Sequence, residues 1–155
     1  MTDNRQEYKQ ENPAKTYLKR YRAMMARRDS LQRSIDEAYD RATSCTQHLK
    51  AVHVDGGNAA YDRIAEDVAR VADSTEQLKA VIKQIDADLA EILRAIESVP
   101  DEMQKTVLTL RYVEGLDWLR ITDNTGYEIA SIYKLHGRGL WNVERWLLAK
   151  TDSKV

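Results

Sequence analysis

The sequence predicts an all-α fold: a long antiparallel helical hairpin, coiled-coil-like, followed by a small bundle built on a helix-turn-helix. Three observations predict it. Apolar residues recur at alternating steps of three and four over two long stretches. Turn-forming residues are scarce, with six glycines and two prolines in 155 residues. Residues 116–140, LDWLRITDNTGYEIASIYKLHGRGL, set Gly126 between two periodic segments, at the spacing of a sharp turn between helices.

The first twelve residues hold no apolar run; they are read as a disordered tail rather than a signal peptide. Asn12-Pro13 opens the first helix, because Asn can cap and Pro suits the first helical position. The seam then reads Tyr17, Tyr21, Met24, Leu31, Ile35, Ala38, Ala42, Cys45, Leu49, Val52, broken only by Arg28. The segment His53-Val54-Asp55-Gly56-Gly57-Asn58 interrupts it with residues that tolerate positive φ. The second seam is Tyr61, Ile64, Val68, Val71, Thr75, Leu78, Ile82, Ile85, Leu89, Ile92, Ile96, Val99. Two helices of similar length joined by a short turn favour an antiparallel pair over residues 13–99. Beside the second seam lie Ala65, Ala69, Ala72, Ala80, Ala87, Val81 and Leu93. They are either the margin of a broad stripe covered by the first helix or a surface for self-association.

Pro100 disfavours a helical residue before it, and Asp101 can cap the helix Glu102 to Glu114, which Gly115 stops. Asp117 caps the next short helix. The last runs from about Glu128 to about Ala149, with Ile132, Leu135, Gly139, Leu140, Val143 and Leu147 on its inward face. Residues 100–149 form the second expected domain and 150–155 a tail.

The net charge of −1 hides a segmental pattern. Residues 1–30 carry eight Lys/Arg against four Asp/Glu, residues 31–99 eight against thirteen, and residues 100–155 eight against eight. The acidic middle should not face a nucleic acid; the last segment can do so only with its cations gathered on one side. The outward face of the last helix begins at Glu128, Ile129 and Ala130 and continues through Tyr133, Lys134 and Gly137. In a helix-turn-helix these positions meet base edges in the major groove. Lys134 can donate to guanine, and Tyr133 or Ile129 can pack on a thymine methyl. Glu128 can accept from cytosine but repels phosphate. A second line, Lys134, Arg138, Trp141 and Arg145, gathers three cations and an indole. It is either a phosphate strip or a solvated face whose Trp141 packs elsewhere. Arg120 and Arg111 are further phosphate candidates; Arg111 is equally suited to an ion pair with Glu114 or Glu144.

Other chemistry is thinly represented. His48, His53 and Asp55 do not have the spacing of a metal ligand set. His136 reads as a helix-surface residue and Cys45 as core. No phosphate-binding Gly-Lys loop, nucleophile elbow or paired catalytic acids occur, so neither an enzyme nor a cofactor is expected. A lone cysteine suits a reducing compartment, and no apolar run reaches membrane-spanning length.

The C-terminal third resembles the sigma-factor region that binds the −35 promoter element. The residues that carry this are Pro100-Asp101-Glu102, Leu108 to Leu116 (LTLRYVEGL), Asp117-Trp118-Leu119-Arg120-Ile121 and Ser131 to His136. The chain from about Tyr17 to Leu147 is similar to a family of phage and prophage proteins related to the ArpU and RinA late-gene regulators. Tyr39 to Ser44, the glycine-containing turn and Tyr133-Lys134-Leu135-His136 carry that likeness. Thr122, Glu128, Gly137 and Gly139 depart from the pattern. The resemblance implies transcriptional control in a bacterial cytoplasm, with promoter or operator DNA as partner. RNA polymerase and a second copy, met through the hairpin, are further candidate partners. The competing readings are a protein-binding adaptor or sigma mimic that binds no DNA, and a small terminase-like packaging subunit.

Overall fold

The structure, a computed structural model, describes residues 11–51 and 58–153. It is all-helical, with no strand among the described residues: α1 Pro13–Ala51, α2 Asn58–Glu97, α3 Glu102–Leu108, a π-helical turn Thr109–Val113, α4 Trp118–Thr125 and α5 Ile129–Asp152. Most of the expected N-terminal tail and of the glycine turn lies outside the described residues, as do the side chains of Cys45, His48, His53 and Asp55.

Asn12 caps α1: its Oδ1 accepts from the Lys15 N–H at 3.2 Å. The α1 seam turns inward as its spacing predicts, with Tyr17, Tyr21, Met24, Leu31, Ile35, Ala38 and Ala42 buried or half-buried and Arg28 among them. The α2 seam departs from expectation. Tyr61, Val68 and Ile82 are exposed (65%, 57% and 45%), whereas Val81 is buried and the Asp67 side chain is only 14% exposed. An apolar stripe has two flanks around its central line Ile64, Val71, Leu78, Ile85, Ile92 and Val99. The structure uses the Asp67–Val81 flank, where Arg41 of α1 reaches Asp67 at 3.5 Å. The alanines at 65, 69, 72, 80 and 87 are exposed, so among the described residues no covered stripe includes them.

The chain divides into two compact units. One is Met24–Asp86, the later part of α1 and the earlier part of α2, where Asp67 accepts from Arg41 and from Arg70 at 3.2 Å. The other joins the described part of Met1–Ala23 to Ala87–Val155. Here Ala14 and Leu18 of α1 pack with Ile92, Ala95, Ile96 and Val99 from the end of α2. Leu108 and Tyr112 after it, with Leu140 and Val143 of α5, complete the core. At its edge Tyr17 donates to Glu91 Oε2 at 3.1 Å, and Arg20 pairs with the buried Asp88 at 3.2 Å. Burial, then the Glu91 carboxylate, push the Tyr17 hydroxyl up to about 12. A smaller cluster, Val107, Ile121 and Ile132, ties α3 to α4 and α5.

Asp101 caps α3 through the Gln104 N–H at 2.8 Å. Gln104 is itself buried and accepts from Asn142 of α5 at 2.9 Å. The single helix expected from Glu102 to Glu114 instead ends in the π turn. The Glu114 N–H reaches back to Thr109 O at 3.1 Å and the Leu116 N–H to Leu110 O at 2.9 Å, across Gly115 at φ 75°. The far end of α5 also differs: the helix runs past Ala149 to Asp152. Lys150, expected in a tail, is held by Glu91 at 3.4 Å and by the Trp146 ring.

Candidate nucleic-acid interface

Two caps and one glycine position α4 and α5. Asp117 Oδ1 accepts from the Arg120 N–H at 2.8 Å and starts α4. Gly126, at φ 71°, ends it in the left-handed conformation, donating to Thr122 O at 2.8 Å. Tyr127 and Glu128 follow, and α5 begins at Ile129. Glu128 occupies the N-cap position without a side-chain capping bond; its carbonyl takes the first helical bonds, from Ser131 and Ile132. The Glu128 carboxylate is therefore free to point outward.

Helical periodicity then sorts α5 into two faces. Ile132, Gly139, Leu140 and Val143 are buried, and Leu135, His136, Trp146 and Leu147 half-buried. Glu128, Ile129, Ala130, Tyr133, Lys134, Gly137, Arg138, Trp141 and Arg145 are all exposed, as is Arg120 on α4. Among the described residues, Arg120, Lys134 and Arg138 form no ion pair, and Arg145 lies over the Trp141 ring at 4.7 Å. Trp141 thus packs with a neighbour on its own helix and remains exposed. Cations without carboxylate partners keep their charge available to an anion. The two interior glycines behave differently. A Cβ at Gly139 would meet Leu108 Cδ1 at 3.0 Å, whereas Gly137 faces open space. Gly139 lets α5 lie close on α3; Gly137 has no such packing reason.

Two expectations are corrected. Arg111 pairs with neither Glu114 nor Glu144. Its Nη1 donates to Leu116 O at 2.9 Å, and its guanidinium sits 4.4 Å from the Trp118 ring centre, bracing the exit of the π turn. His136 is not a surface residue. It stacks on Tyr112, meets Trp118 edge-on at 4.9 Å, and its Nε2 lies 2.9 Å from the Tyr112 hydroxyl. Burial, then the charges of Lys15 and Arg111, push its pKa down to about 4, so the ring is neutral near pH 7. Trp118 also meets Tyr133 edge-on at 5.1 Å, fixing the aromatic that opens the outward face.

Sequence reasoning missed two of the three exposed apolar residues on or around α4 and the start of α5. Leu119 (70% exposed), in the first turn of α4, and Tyr127 and Ile129, after Gly126, are all exposed. Their signal was the break in inward spacing within α4, where Ile121 alone is buried. Taken together, the site has cations, amphipathic aromatics and one carboxylate on an open helix face. No family model, curated protein or solved structure matches this chain.

Proposed function

We propose that the protein is a sequence-specific DNA-binding transcription regulator of a phage or prophage, acting in the cytoplasm of a bacterial host. In this reading α4, Gly126 and α5 work as a sigma-region-4-like helix-turn-helix, with α5 in the major groove. Arg138, Arg145 and Arg120 grip flanking phosphates, and Lys134, Tyr133 and Ile129 address base edges. The observation that carries the proposal is the exposure of all ten candidate residues, eight of them on α5, with Glu128 at its N-cap and Arg120 on α4.

The long helices serve in the same reading as an antiparallel hairpin that sets oligomeric state or meets RNA polymerase. Arg20 pairs with Asp88 and Arg41 with Asp67, and the two arginines are as far apart in sequence as the two aspartates, a whole number of heptads. Such clasps favour one register and one direction of pairing.

A protein-binding adaptor is the second reading, favoured by exposed Leu119, Tyr127 and Ile129. Binding of DNA from the native locus separates the two. Lys134→Ala and Arg138→Ala each weaken that binding while the far-ultraviolet circular dichroism is unchanged. Unaltered affinity in both variants removes α5 as the reading surface.

A further inference from the structure

We propose that the start of α1 supplies a second phosphate site, in which Lys15, Lys19, Arg22 and Arg111 receive a DNA-backbone phosphate beside the groove occupied by α5. The proposal rests on the DNA-binding reading and extends its footprint to a part of the chain outside the α4–α5 pair.

A pocket of about 290 Å³ is lined by Lys15, Lys19, Arg22, Arg111, Tyr112, Gly115 and Trp118. Cations line it and no carboxylate does. Lys19 pairs with Glu11, both side chains about half exposed. Arg22 lies flat against Gly115: a Cβ there would come within 2.5 Å of its Cζ. Gly115 leaves the guanidinium that room, and its φ of 75° favours glycine there. Arg111 is held by Leu116 O and Trp118, so one edge of its guanidinium is fixed while other N–H donors remain. Three long-armed cations and one braced one around a concave surface match the needs of a phosphate oxygen cluster.

Position argues for the backbone of a duplex as the source of that phosphate. Trp118 is a wall of the pocket and also touches Tyr133 on the outward face of α5. The pocket and the face of α5 are therefore contiguous. Residues 1–30 are also the segment with the clearest cationic excess, eight Lys/Arg against four Asp/Glu, in a chain of net charge −1. A duplex carries phosphates on both sides of the groove that a helix enters, so cations flanking the entry of α4 meet one of those strands.

The test uses the full chain and a duplex from the native locus, with affinity followed against salt by fluorescence anisotropy. The Lys15→Gln, Lys19→Gln, Arg22→Gln triple variant binds more weakly than wild type. Its log–log salt slope is shallower by about 1 for each phosphate that is no longer neutralised. A Lys15→Arg, Lys19→Arg variant keeps the wild-type slope, which separates charge from folding. Duplex also shields Lys15 and Lys19 from amine acylation. If wild type binds and Lys134→Ala weakens it, but the triple variant keeps both affinity and slope, the pocket is overturned and the α5 interface stands. If wild type binds no duplex at low salt, both readings fall. If inorganic pyrophosphate quenches tryptophan fluorescence through these residues while duplex binding ignores them, the ligand is a free polyphosphate and the backbone assignment is overturned.

Discussion

Two glycines on one helix, Gly137 and Gly139, invite opposite outcomes from the same substitution. An interior helical glycine costs about 1 kcal/mol relative to alanine. At Gly137 a methyl group meets nothing within 4 Å, so Gly137→Ala should recover most of that amount. For a chain of this length, that corresponds to a rise of about 2–4 °C in Tm. At Gly139 the methyl would sit 3.0 Å from Leu108 Cδ1 and 3.2 Å from its Cγ. Leu108 is fully buried, so it can make room only by shifting within the core. Overpacking of this kind costs about 1–3 kcal/mol. Gly139→Ala should therefore come out between neutral and about 2 kcal/mol destabilising. Thermal melts followed by tryptophan fluorescence suit the comparison, because Trp118, Trp141 and Trp146 all lie in α4 and α5. Equal stabilisation by both substitutions would refute the close α3–α5 approach, and with it the orientation given to the outward face.

Two further outcomes follow from burial. The folded state depresses the His136 pKa to about 4 from 6.5, so the unfolded chain binds the extra proton between those values. Stability is intact above pH 6.5 and falls by roughly 2 kcal/mol as pH drops toward 4; His136→Gln should flatten that part of a urea-denaturation pH profile. Ile121 is fully buried against Val107 and Ile132, so Ile121→Ala should cost about 2–5 kcal/mol and loosen α4 from α5. An unchanged urea midpoint would show that this small cluster does not hold the pair together.

Local chemistry was legible wherever one residue decides one event. Asp101 and Asp117 cap helices, Gly115 and Gly126 take positive φ, and the inward face of α5 follows helical spacing. The α1 seam was equally plain because its flanks are charged. The α2 seam was not, because apolar residues lie on both sides of its central line. The choice of Val81 over Ile82 depends on which flank α1 addresses, and that partner is remote in sequence. The π turn was hidden for a different reason: Thr109 to Val113 satisfy either bonding pattern, and the Arg111 contacts at its exit span the turn itself. His136 looked like a surface residue because its partners, Tyr112 and Trp118, lie on other elements. The cationic pocket was invisible for the same reason, since it joins residues 15–22 to residues 111–118.

The central claim is that the outward face of α5 grips a DNA duplex through its charges. The measurement that tests it most directly is the salt dependence of binding by the full chain. Arg120, Arg138 and Arg145, each on one phosphate, contribute about −3 to the log–log slope, and losing Arg138 and Arg145 brings that contribution to about −1. A slope near zero, or no retained duplex at low salt, would contradict the account.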